Sequence, residues 1–150
     1  MTQIDLQIAS TAKNLPTEMH FQTWVDNVLN DSSELVIRLV DVSESAELNQ
    51  RYRHKQGATN ILSFPFEAPE MVTTSLLGDL VICVPLIEQQ ALQQHKPLLN
   101  HWAHIVIHGT LHLCGYDHEN KADADEMETK EINLLKKLSI PNPYQEHTPL

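Results

Sequence analysis

Five of the nine histidines in this 150-residue chain, His101, His104, His108, His112 and His118, fall within eighteen consecutive positions. Imidazole is the commonest protein ligand for transition metals, and its neutral form is available near physiological pH. At about 100° per residue, a helix places His101, His104, His108 and His112 at roughly 0, 300, 340 and 20°, one polar stripe. His108 and His112 stand four apart, so two rings on one helical face can converge on a single ion. Gly115 follows, a residue able to take the left-handed conformation that ends a helix and turns the chain back. That reversal is expected to return His118 to the same point as a third ligand. Three imidazoles leave one tetrahedral position open, the arrangement of catalytic rather than structural zinc. Such an ion acts as a Lewis acid and lowers the pKa of water that it binds.

Residues 108–118 read HGTLHLCGYDH. Every histidine and the glycine fit the metzincin spacing H-E-x-x-H-x-x-G-x-x-H, but Gly109 stands where a metalloprotease carries its general base. Metal chemistry survives that comparison and peptide hydrolysis by the usual route does not. Asp117 and Glu119 flank the third histidine, as a base, as supports for the ligands, or as solvated acids. His101 and His104 are read as supports, as a further metal contact, or as hydrogen-bonded core residues. Cys114, near 220° on the same wheel, points away from the stripe.

A second cluster is basic. Arg51, Arg53, His54 and Lys55 lie in a stretch with no acidic residue between Glu47 and Glu67, in a chain whose formal net charge is −10. Such a balance disfavours diffuse binding to nucleic acid or anionic lipid, so any polyanion site must be local. A guanidinium fork suits bidentate contact with phosphate, which makes Arg53 the candidate clamp, with Arg51 and Lys55 beside it. Tyr52 is a candidate for stacking on a base, or a core residue.

These groups need elements to hold them. Alternation of Ile4, Leu6 and Ile8 predicts a strand over 3–9, and the spacing of Met19, Phe21, Trp24, Val25 and Val28 predicts a helix capped by Thr17. The β-branched run 35–42 predicts a strand, and Ser43 a cap for a helix through about 53. Segments 60–66 and 77–84 predict two further strands, the second apolar enough to be central, with a loop between them. Pro85 opens a helix to about 95. Another is expected over 98–114, apolar on all sides but the histidine stripe and therefore buried, and a last one over 120–138 before a tail over 138–150 of little expected order. The order β-α-β-α-β-β-α-α-α predicts a single α+β domain over 1–150, a mixed sheet of four strands packed with five helices.

Hydrophobic residues make up 41% and charged residues 20%, which excludes disordered and fibrous classes. No apolar run is long enough to span a bilayer, residues 1–8 lack the pattern of a signal peptide, and the two cysteines, Cys83 and Cys114, lack metal or disulfide spacing. A cytoplasmic protein is expected.

HGTLHLCGYDH resembles the signature of the YbeY family of bacterial endoribonucleases, also called rRNA maturation factors. LNQRYRHKQGATNILSFPF at 48–66, GDLVIC at 78–83 and HWAH at 101–104 resemble other segments of that family, in the same order. The resemblance runs from the first strand to the last helix. It implies a single-strand-specific, metal-dependent endoribonuclease acting in 16S rRNA 3′-end maturation and ribosome quality control. It carries the ligand role onto His108, His112 and His118 and the functional arginine onto Arg53; His104, Asn60 and Asp79 lie within the matching segments. The expectation is therefore a catalytic site of His108 and Arg53 around one zinc ion, with nickel or another transition metal also compatible with the ligands. Its partners are single-stranded RNA, ribosomal RNA and the small ribosomal subunit, with neither membrane nor DNA, and a monomer is favoured. Two rivals predict different things: a non-enzymatic ribosome-assembly factor would close its metal site with a fourth ligand such as His104, and a peptidase would need a base that Gly109 cannot supply.

Overall fold

The computed structural model describes residues 2–29, 32–69 and 74–144. The elements follow in the expected order: β1 (Gln3–Ile8), α1 (Glu18–Val28), β2 (Glu34–Val40), α2 (Val42–Arg53), β3 (Ile61–Pro65), β4 (Leu76–Cys83), α3 (Val84–Gln93), α4 (Leu98–Leu113) and α5 (Lys121–Lys137). They build one four-stranded mixed sheet ordered β1-β2-β4-β3. β1 and β4 flank β2 in parallel, and β3 runs antiparallel to β4 at the edge. The apolar β4 is interior, as its composition predicts.

Alternation divides the sheet into two faces. Leu35, Ile37 and Leu39 of β2, with Leu80 and Ile82 of β4, join Phe21 and Trp24 of α1 and Trp102, Val106 and Leu111 of α4 in the larger core. Phe21 meets Trp24 and Trp102 edge-on, at centroid distances of 5.5 and 5.9 Å. Val40, Leu62, Val81 and Cys83 form a smaller cluster on the other face, with Leu48 of α2 packed against it. α4 is buried along most of its length, as an all-round apolar helix must be. It also lies very close to the sheet: a Cβ at Gly109 would stand 2.5 Å from Ile61 Cδ1 and 2.9 Å from Leu80 Cδ2. This close approach sets the histidine stripe beside the edge strand β3.

Thr17 caps α1 as expected, in a capping box with His20. At α2 the structure differs. The strand stops at Val40 rather than 42, and Asp41, not Ser43, is the N-cap. The Asp41 carboxylate accepts hydrogen bonds from Ser10 and Thr11 instead of from its own helix, tying the start of α2 to the end of β1. The tail also departs from expectation. Ile140 packs against the main core and Lys96 Nζ donates to the Pro143 carbonyl at 2.8 Å, and these contacts hold the first part of the tail. Residues 145–150 and part of the expected β3–β4 loop, 70–73, lie outside the described residues. Among the described residues, no helix is long and apolar enough to cross a membrane.

Candidate metal centre

The histidine stripe forms as predicted. Ring centroids step along α4 by 6.2 Å from His101 to His104, 6.2 Å to His108 and 4.6 Å to His112. The helix then ends in a Schellman motif: Gly115 has φ +99°, its N–H donates to the His112 carbonyl, and Tyr116 N–H donates to the Leu111 carbonyl. The chain reverses there and brings the His118 ring within 5.0 Å of His112 and 5.8 Å of His108. The potential ligand atoms of His108, His112 and His118 all lie within 4.8 Å of one another.

Hydrogen bonds fix which nitrogen of each helical ring faces the cluster. His112 Nδ1 lies 2.9 Å from the Tyr116 carbonyl oxygen, an acceptor, so Nδ1 carries the proton and Nε2 keeps its lone pair. His108 Nδ1 donates in the same way to the Glu131 carboxylate. The two Nε2 atoms then face each other at 3.1 Å. Two lone pairs in that position repel unless a positive charge lies between them. Zinc–nitrogen bonds of ~2.0–2.1 Å at tetrahedral angles would set two imidazole nitrogens about 3.3 Å apart. The donor set therefore fits a transition-metal ion. Burial, together with the neighbouring His108 and His118 charges, pushes the His112 pKa down and favours the neutral ligand form.

Glu131, which the sequence reading does not single out, is the central support. It is fully buried on the stripe of α5 that carries Met127, Leu134 and Leu135. Its second oxygen accepts from the Tyr144 hydroxyl and lies 3.4 Å from His104 Nε2. Burial alone would raise this carboxyl, but the hydrogen bonds from His104, His108 and Tyr144 outweigh it and hold the pKa at about 2. Burial and the Glu131 charge push the Tyr144 phenol up, so it stays a donor. A signal for Glu131 exists in the sequence, since it stands four after Met127 and three before Leu134 and interrupts an apolar stripe; a charge there demands partners. Tyr144 leaves no such periodic trace.

The remaining histidines separate by role. His101 is buried, with Nε2 2.9 Å from Gln90 Oε1, which also accepts from the Asn60 amide at 3.3 Å. It is a hydrogen-bonded core residue. His104 turns its Nε2 toward Glu131 and the Tyr144 hydroxyl rather than toward the cluster. It is not part of the three-histidine group, and its potential ligand atom falls instead in a second group with those of His108 and Glu131. Asp117 accepts the His118 backbone N–H at 2.7 Å and so shapes the loop that carries the third imidazole, while Glu119 is exposed.

In front of the cluster is a cleft of about 670 Å³, walled by β3 on one side and by the three histidines and Asp117 on the other. Arg53, the last residue of α2, is exposed on its rim next to Tyr52, whose ring meets Phe64 edge-on at 5.3 Å. The other basic residues do not join it. Arg51 stands about 200° round the helix from Arg53 and pairs with Glu47 at 3.3 Å. Lys55 follows His54, whose φ of +57° turns the chain away from the helix axis. Neither lines the cleft, and nor does the exposed Asp79.

Known proteins resemble this chain over nearly its whole length. A family model described as Endoribonuclease YbeY matches residues 4–139. A curated relative from Colwellia psychrerythraea strain 34H, named Endoribonuclease YbeY, is 52% identical over 95% of this chain and 97% of its own length. Among solved structures, the solution structure of TM1509 from Thermotoga maritima is similar over the whole of both chains, with a TM-score of 0.59 at 24% identity, a likeness of fold.

Proposed function

The chain belongs to the endoribonuclease YbeY family, and on that premise we propose that it cuts single-stranded RNA in the cleft between α4 and β3. The observation that carries the reading is the pair of facing Nε2 atoms of His108 and His112, with His118 folded back beside them and Arg53 across the cleft. His108, His112 and His118 would hold one transition-metal ion, zinc by geometry and availability. An ion bound there would supply Lewis acidity to the phosphodiester.

The chain's own groups do the rest. The Tyr116 carbonyl and the Glu131 carboxylate keep two imidazoles in the tautomer that presents Nε2. Arg53 places a planar, permanently charged fork where the RNA backbone enters, orients one phosphate, and stabilises the negative charge that grows on it. Because the protein as a whole is acidic, this local cation and the metal ligands, not a broad basic face, select the phosphate. Within this reading the substrate is ribosomal RNA, at the 3′ end of 16S rRNA on the small ribosomal subunit in the cytoplasm.

Position 109 argues against a peptidase. Gly109 is pressed against Ile61 and Leu80, so no base can project from it into the cleft. The orientation of His104 argues against a closed structural site. The decisive test incubates zinc-loaded and chelator-treated protein with one RNA sequence as a single strand and as a duplex. Internal cleavage of the single strand, lost on chelation and restored by zinc, is expected. Cleavage that survives chelation, or no cleavage by loaded protein, overturns the proposal. A precursor 16S 3′-end fragment compared with a shuffled strand of equal length tests the ribosomal assignment.

A further inference from the structure

Beyond the metal cluster, the segment that follows α5 is tied back to the body of the protein. Ser139 adopts φ +61° immediately after the helix, and the chain folds back toward α4. Three contacts then fix it. Ile140 packs against the main core, Lys96 Nζ donates to the Pro143 carbonyl at 2.8 Å, and Tyr144 N–H donates to Asn142 Oδ1 at 2.8 Å. Together they deliver one group, the Tyr144 hydroxyl, to Glu131, while the phenol ring packs edge-on against His104 at 5.4 Å.

Glu131 needs that group. Its side chain is fully buried, and a buried carboxylate must have both oxygens satisfied. One oxygen is committed to His108. The other has Tyr144 as its hydrogen-bond donor and His104 at the longer distance of 3.4 Å. Without the hydroxyl, the carboxylate gains by turning toward His104, which pulls it off His108. Resting on the reading of His108 as a metal ligand, we propose that Tyr144 is a positioning residue for the metal centre. Through Glu131 it holds the His108 ring in the orientation and tautomer that bind the ion, and so raises the affinity of the three-histidine site.

The variants that test this are Tyr144→Phe, which deletes only the hydroxyl, Tyr144→Ala, which also removes the ring, and Glu131→Gln, each in the full chain. Zinc affinity is measured by competition with a chromophoric chelator, and folding of the metal-free proteins by thermal melt. Partners that orient metal-bound histidines typically contribute 10- to 100-fold in affinity, so Glu131→Gln is expected to lose about that much, and Tyr144→Phe, one bond further away, about three- to tenfold. The Phe variant should melt with the metal-free wild type, a result that a merely structural tyrosine would not combine with weaker zinc binding. Wild-type affinity in Tyr144→Phe overturns the proposal, as does a loss confined to Tyr144→Ala, because ring packing would then be the cause. Failure of the wild type itself to bind zinc refutes the three-histidine site instead, which keeps the two readings separable.

Discussion

Replacing Gly109 by alanine sets two opposed effects against each other at a position given by the structure. In an open helix interior, Gly→Ala stabilises by about 0.5–1 kcal/mol, because the unfolded chain loses freedom and the helix gains a better former. Here the new Cβ would stand 2.5 Å from Ile61 Cδ1 and 2.9 Å from Leu80 Cδ2, both buried. Contacts that short force the side chains off their rotamers or lift α4 from the sheet, which typically costs about 1–3 kcal/mol. The overpacking term wins, and Gly109→Ala should destabilise by roughly 0.5–2 kcal/mol. Chemical denaturation gives the sign directly. A double-mutant cycle gives the cause: Ile61→Val removes the Cδ1 atom that clashes most and alone costs about 0.5–1.5 kcal/mol. The double variant should be more stable than the sum of the two single losses by about 1 kcal/mol. A Gly109→Ala protein as stable as wild type or more so, or a cycle with no coupling, would refute the argument that the glycine lets α4 approach β3 and β4.

His112→Ala, which removes one of the two facing Nε2 atoms, should lose stable metal retention when metal content is read by mass spectrometry after desalting; wild-type retention would mean that the ligand set is wrong. Arg53→Ala should keep metal and melting temperature yet lose on the order of 10²-fold in single-turnover RNA cleavage, and Arg53→Lys should recover part of it, since an ammonium keeps charge but not the fork. Near-normal cleavage by Arg53→Ala would move the clamp elsewhere on the cleft. Burial, with the charges of His104 and Lys96 adding to it, pushes the His101 pKa down to about 4. The unfolded chain takes up that proton near pH 6.5 and the folded chain only near 4, so the contribution is complete above about pH 6.5 and is lost as pH falls toward 4. It amounts to at most roughly 3 kcal/mol. Urea titrations at pH 7 and pH 4.5 should therefore show a smaller acid loss of stability for His101→Gln than for wild type, and equal losses would contradict the assignment.

Much of the site is legible in the sequence because it is local. The spacing of His108 and His112 is a property of one helix, and the return of His118 needs only Gly115 in its left-handed conformation two residues beyond Leu113. The order of strands and helices follows from periodicity in the same way, and the apolar run of β4 already marks an interior strand. Tertiary structure decided what lies around those residues. The basic cluster looks continuous in sequence, but helical rotation and the turn at His54 leave Arg53 in the cleft and send Arg51 to Glu47. Gly109 reads as a missing catalytic base, whereas its place in the fold is the contact of α4 with Ile61 and Leu80. Glu131 reaches His108 across 23 residues, and Tyr144 reaches Glu131 across 13. Sequence periodicity records which face of an element is apolar and says nothing of which elements meet. A buried carboxylate finds its partners only when three separate segments pack around it, so the histidine cluster could be read from the chain and the network that orients it could not.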